Sequence, residues 1–329
     1  MCSVLISGNA GGISMTDLKS RTPEEVQSEI KRTRHKAELP LYAGTIILGF
    51  ITILVWWVII FRDSGALDQI KDILAKENIT DASPEFNQIL LFCIGFISLI
   101  GGIGCLLYYM FCFFYAYYKQ YADEMSYAIR VSEKNFPELY EYVKEFTRLL
   151  GMKKEPEVYI QSTGVINAFA CWVPGKTFIR INAEVVDLAY MENKDMKTVA
   201  FIMAHEFGHL YFHHVHMLYC LWTNFVNFIP VVGTTLIHSL YIRSQEYSAD
   251  RVAQALMGES KEDGMMLLTA GRHLYKYADI NDYLEMINKN HNFFEKLARF
   301  ITNLFTDHPI NPFRIAAIMD ENKKSGRLI

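Results

Sequence analysis

Hydrophobic and polar positions are spread unevenly along this chain. Residues 39–61 and 86–118, runs of 23 and 33 positions, contain no Asp, Glu, Lys or Arg. A helix needs roughly 20 apolar residues to cross the hydrocarbon core of a bilayer, so each run is long enough to span once. The expected spans are about 39–61 and 89–115, forming a transmembrane hairpin. Trp56 and Trp57 in the first run, with Tyr108, Tyr109, Tyr115, Tyr117 and Tyr118 in the second, supply aromatic rings suited to the membrane interface. Ahead of the first run lie 38 mostly polar residues, which fit a cleavable signal peptide poorly. Residues 7–12 read as a flexible tail. A helix is expected from Pro23, with Thr22 as N-cap and Glu25 closing a capping box.

Past Tyr118 the texture changes to mixed polar and apolar helices, the first over residues 137–150 and stopped by Gly151. Short strand-like runs follow at 157–161, 166–172 and 177–182, the last two joined by a Pro174-Gly175 turn. Another helix is expected from about Asp195. A third uncharged run, 26 residues at 217–242, follows it.

Composition fits this mixture of membrane segments and a water-facing domain. The 329 residues are 51% hydrophobic and 21% charged, with a net charge of −4, and the mean hydropathy is +0.10. A charge near zero argues against nucleic acid as a partner. Of six cysteines, Cys93, Cys105, Cys112 and Cys220 sit in apolar runs and none forms a CxxC pair, so a cysteine metal site is not expected. Basic residues set the orientation. Lys19, Arg21, Lys31, Arg32, Arg34 and Lys36 precede the first span, whereas the loop at 62–85 holds only Arg62, Lys71 and Lys76. The positive-inside rule then puts the N-terminus and everything after Lys119 on the cytoplasmic side. The sequon Asn78-Ile79-Thr80 in the outer loop decides nothing.

The chemistry is concentrated in His205-Glu206-Phe207-Gly208-His209. On a helix, residues four apart share a face, so His205 and His209 can offer two imidazoles to one metal ion. Glu206 is turned away from that face, as suits a general base rather than a third ligand. A further His six residues after His209 would complete one known ligand set, but that position holds Val215. The alternative is Glu246 downstream, with Asp250 one turn later on the same face to accept a hydrogen bond from a ligand imidazole. His213 extends the i, i+4, i+8 face but is too distant for the same site; it, His214 and His216 read as structural or interfacial. His35, His238, His273 and His291 receive no role.

If Glu246 completes the site, residues 217–242 cannot cross the membrane once, because that would separate Glu246 from His205 and His209. Two crossings would need roughly 40 residues plus a turn. The run is therefore expected to be a hairpin turning near residues 230–233.

His205-Glu206-x-x-His209 with Glu246-x-x-x-Asp250 resembles the gluzincin membrane metallopeptidases of the HtpX and CAAX-prenyl-protease type. The resemblance covers roughly residues 137–315. It implies an α+β fold: a helix-rich, zincin-like peptidase domain with a small β-sheet, here anchored by the N-terminal two-helix hairpin. The implied organisation is a cytoplasmic segment 1–38, a transmembrane hairpin 39–118 and a zinc metallopeptidase domain 119–329. Zn²⁺ would be held by His205, His209 and Glu246, with Glu206 as base. Asn167-Ala168-Phe169 would be the substrate-binding edge strand, pairing with an extended peptide. His308 of the His308-Pro309 pair would hydrogen-bond the oxyanion, and Arg314 would brace the Glu246/Asp250 region or the intermediate. The implied function is a membrane-anchored endopeptidase acting on protein or peptide substrates, in membrane-protein quality control, with the lipid bilayer as its other partner. The chain departs from HtpX-type members, which carry two more spans between the zinc helix and the third ligand, and from prenyl proteases, which carry many more. Two rivals differ in what they predict. A catalytically silent membrane scaffold would be indifferent to loss of Glu206, and a transport component would need residues 217–242 to cross and would bind no stoichiometric zinc.

Overall fold

The computed structural model describes residues 15–63, 72, 84–191, 195–227, 237–258, 262–271, 273–289, 292–306, 308–320 and 326–328. The tail at 7–12, the sequon at 78–80 and the turn expected near 230–233 lie outside them. The chain divides into two compact units, Met1–Ala43 with Tyr121–Ile329, and Gly44–Gln120.

The first unit begins with helices α1 (Met15–Ser20) and α2 (Pro23–Thr33). Thr22 and Glu25 form the expected capping box, each side chain accepting the other's backbone N–H. The apolar face of α2 buries Val26 and Ile30, and Leu18 of α1 joins the same core. Helix α3 (Glu38–Asp63) and helix α4 (Pro84–Tyr127) carry the two apolar runs. They make up most of the second unit. Side chains at 53, 56–63 and 84–102, Trp56 and Trp57 among them, lie outside the described residues. Among those described, no helix is long and apolar enough to cross a membrane. The described parts nonetheless show bare apolar faces: Ile47, Phe50, Ile51 and Leu54 on α3, and Ile103, Leu106, Leu107 and Phe111 on α4, are exposed.

Among the described residues, the rest of the first unit is helix-rich with one four-stranded sheet. After β1 (Ile129–Arg130) and α5 (Pro137–Leu149) come β2 (Glu157–Gln161), β3 (Ala168–Val173) and β4 (Lys176–Asn182). Strand order is β1-β2-β4-β3, with β2 parallel to β4 and the other pairs antiparallel. β3 therefore forms one edge. Pro174-Gly175 closes the β3–β4 hairpin, with Gly175 at φ +83°, a conformation that suits glycine. The two-residue β1 had escaped the sequence pattern, being too short to show a period.

Helices α6 (Ala183–Tyr190), α7 (Met196–Tyr211), α8 (Met217–Asn227) and α9 (Ile237–Met257) follow. The chain closes with α10 (Glu262–Ala270), a 3-10 turn (Tyr275–Tyr277), α11 (Ile280–Asn288), α12 (Phe293–Phe305) and α13 (Asn311–Met319). Asp195 caps α7, its carboxylate accepting from Thr198 N–H at 3.1 Å. From Thr198 to Gly208 this helix is buried all round, as its nearly continuous apolar sequence requires. The sheet packs on one side through Val158, Ile160, Ile179 and Ile181, and α9 on another.

Helices α7 and α9 touch at Gly208. A Cβ there would stand 2.8 Å from Ala249 Cα and 3.1 Å from Val252 Cβ, closer than side chains tolerate. The absent side chain lets the helix bearing His205 and His209 approach the helix bearing Glu246. Gly208→Ala should therefore wedge the helices apart and destabilise the fold by about 1–3 kcal/mol, with weaker zinc binding. Chemical denaturation and chelator competition would check this, and an unperturbed variant would contradict it.

Candidate metal centre

His205 and His209 sit one turn apart on α7, and both rings face α9. Their Nε2 atoms lie 3.1 Å from each other. From α9, Glu246 Oε2 is 3.5 Å from His205 Nε2 and Oε1 is 3.5 Å from His209 Nε2. Zinc–nitrogen and zinc–oxygen bonds of about 2.0–2.1 Å at tetrahedral angles put ligand atoms roughly 3.3 Å apart. The three measured separations bracket that edge length, so the donor set fits zinc in chemistry and in spacing.

The surroundings orient each donor. Asp250, one turn after Glu246, lies with Oδ1 2.8 Å from His205 Nδ1. His205 Nδ1–H donates there, which leaves Nε2 free as a donor atom. Arg314 of α13 spans both carboxylates: Nε and Nη2 reach Asp250 at 2.9 and 2.6 Å, and Nη1 reaches Glu246 Oε2 at 3.1 Å. The resemblance offered Arg314 as a brace for this region or for the intermediate; here its guanidinium contacts both carboxylates and also lines the cleft.

Charge follows from these contacts. Burial alone would raise the carboxyl of Glu246, but the Arg314 guanidinium and the flanking imidazoles hold it well below the usual range. Asp250 is lowered against burial in the same way, chiefly by Arg314. His209, buried, is pushed well below the ordinary imidazole value. His205 is raised to about 10, because its bonds to Asp250 and Glu246 outweigh burial, and it would give up its Nε2 proton on taking a metal ion. Glu206 has no such partner. Burial lifts it to about 7, the charge of Glu246 adding to the rise. Its carboxylate accepts a hydrogen bond from the Ala170 N–H of β3.

A cleft of about 280 Å³ opens over these residues. Asn167, Ala168 and Phe169 line it at the start of the edge strand, and Val215, Met265 and Leu268 add apolar lining. His308 stands at the rim with its side chain 67% exposed, Nε2 3.6 Å from Glu246 Oε1. All ten residues expected from the sequence thus meet at one cleft or directly behind it. Ala170 and the apolar wall were not foreseen, because a backbone N–H and ordinary aliphatic residues carry no sequence signal.

The expected extension of the ligand face to His213 needs correction. Helix α7 does not continue to His213. It ends in a turn with His213 at φ +59°, where His213 N–H donates to Leu210 O at 3.2 Å and His214 N–H donates to His209 O at 2.9 Å. His213 is thereby exposed and off the ligand face, while His214 folds back against His209 and is buried.

Two imidazoles on a buried helix, a glutamate from a second helix and a free carboxylate beside them define a metallopeptidase-like centre. Residues 133–322 match the model of Peptidase family M48, more than half of the chain, and the chain belongs to that family. Over 152 residues it is 32% identical to a protein named Protease HtpX homolog from Picrophilus torridus, covering 44% of this chain and 46% of that one. The chain therefore spans about half the length of this curated relative. No solved structure matches. M48 peptidases are zinc metalloproteases, and the His205/His209/Glu246 group can hold that ion.

Arg314→Met would remove the guanidinium that pairs with both Asp250 and Glu246 in this buried space. It should cost about 3–5 kcal/mol of stability, as removal of one partner of a buried ion pair does. Denaturant titration measures this, and a cost under a few tenths would show that the carboxylates are neutralised by other means.

Proposed function

We propose that this chain is a membrane-anchored zinc endopeptidase that hydrolyses peptide bonds of protein substrates at the cytoplasmic membrane face, in membrane-protein quality control. The observation that carries the reading is the convergence of His205, His209 and Glu246 beside a buried Glu206 raised towards neutrality. Zinc bound by the first three would polarise the scissile carbonyl and acidify a water molecule. Glu206, elevated towards neutrality, can take a proton from the attacking water and return it to the leaving amine. Its bond to Ala170 N–H ties the base to the strand that the substrate would join. An extended peptide added to the free edge of β3 at Asn167–Phe169 would run past that base. His308, exposed at the rim, would donate to the oxyanion.

Glu206→Gln should abolish cleavage of a model protein while retaining bound zinc, and Glu246→Ala should lose the zinc as well. A base must be deprotonated to act, so wild-type kcat/KM should fall as the pH drops through about 7, or lower where the bound cation draws the Glu206 value down. Full cleavage by Glu206→Gln, or activity that rises on acidification from pH 8 to 5, would refute the assignment.

Membrane anchoring rests on the two uncharged runs of 23 and 33 residues and on the bare apolar faces of α3 and α4. The basic residues before residue 39 favour a cytoplasmic site. Alkaline carbonate should leave the protein in the membrane pellet; release into the supernatant would sink the anchor.

A further inference from the structure

Behind the metal centre, a buried chain of hydrogen bonds leads from His209 to the first turn of α3. His209 Nδ1 lies 3.1 Å from His214 Nδ1, and His214 Nε2 lies 3.0 Å from Glu38 Oε1. Glu38 is 1% exposed and His214 6%. The other contacts of Glu38 are Arg34, whose guanidinium reaches Oε1, and the Ser248 hydroxyl, which donates to Oε2. Ser248 in turn accepts the His35 backbone N–H at 3.1 Å.

Proton positions in this chain are fixed from its far end. The Glu38 carboxyl is held down to about 2: burial would raise it, but the bonds from His214, Arg34 and Ser248 prevail. An ionised carboxylate only accepts, so His214 Nε2 must carry a proton and donate it. In a neutral imidazole the other nitrogen is then an acceptor, so His214 Nδ1 takes the proton of His209 Nδ1–H. That leaves His209 Nε2 with a free lone pair, aimed at His205 Nε2 and Glu246. The arrangement parallels Asp250 behind His205, but it uses two residues and reaches the N-terminal segment.

We propose that His214 and Glu38 are positioning residues for His209: a His209–His214–Glu38 relay fixes the ring and tautomer of this ligand and makes metal retention depend on docking of the first turn of α3. The inference rests on the metal-site reading above. Outer partners of this kind are worth about 10- to 100-fold in metal affinity.

The test is zinc affinity of the full-length protein, measured by competition with a chromophoric chelator, for wild type, His214→Phe, Glu38→Leu and Glu38→Gln. His214→Phe and Glu38→Leu should bind zinc about 10- to 100-fold more weakly. Glu38→Gln keeps an oxygen that can accept from His214 and should stay near wild type. Cobalt-loaded protein adds a second readout, since a reoriented His209 shifts the visible bands, whereas loss of packing alone lowers the melting temperature and leaves them in place. Wild-type zinc affinity and cobalt bands in folded His214→Phe, which keeps an aromatic ring in the same space, would overturn the relay even if Glu38→Leu does not fold. A wild type that binds no zinc would overturn the metal-site reading itself.

Discussion

The contact of α7 with α9 at Gly208 is the constraint on which the site depends. Neither helix holds a complete donor set, and the spacing of His205, His209 and Glu246 exists only while the two backbones stay this close. The remaining elements hold that contact from outside. The sheet backs α7 and presents β3 along the cleft, while α2 and α13 pack on α9. Arg21 secures α2 further, through guanidinium bonds to the Ala255 and Leu256 carbonyls near the end of α9. Site geometry is thus a property of backbone packing, which a close-packed interior holds better than flexible side chains do.

Such packing forces several ionisable groups into one desolvated space, and a single guanidinium decides how they divide. Arg314 touches Glu246 and Asp250 and depresses both. It does not bond Glu206, which burial leaves near neutrality. Three glutamate and aspartate carboxyls thereby acquire two kinds of behaviour: two remain anionic as ligand and as anchor for His205, and one stays ready to exchange a proton. The division comes from environment, not residue type.

Local signals made much of this legible in the sequence. The capping box at Thr22 and Glu25, the Pro174-Gly175 turn and strand β2 follow from nearest-neighbour chemistry, and helical spacing alone pairs His205 with His209. Glu246 was reached by way of the missing third ligand once Val215 had closed the other route, because nothing within α9 itself distinguishes a ligand carboxylate from one on a solvated face. His214 was hidden for a different reason. Helical arithmetic carried the ligand face to His213, but the helix stops at Tyr211 and a left-handed His213 returns the next residue to His209. One αL residue thus takes His213 off that face and brings its neighbour His214 against His209. Strand β1 and Ala170 left no pattern to read.

Glu38 was hidden by being ordinary. An acidic residue in the first turn of a helix is favoured by the helix dipole wherever it occurs, so it attracts no notice at the start of α3. Here 176 positions separate it from its imidazole partner, a distance no local pattern bridges. Its surroundings show why the position is more than a cap. Arg34 approaches from the segment before α3, Ser248 from α9 between Glu246 and Asp250, and His214 from the turn that ends α7. Three segments far apart in sequence therefore converge on one carboxylate. The first turn of α3, which lies in the same compact unit as the site, cannot shift without moving the support of the metal centre.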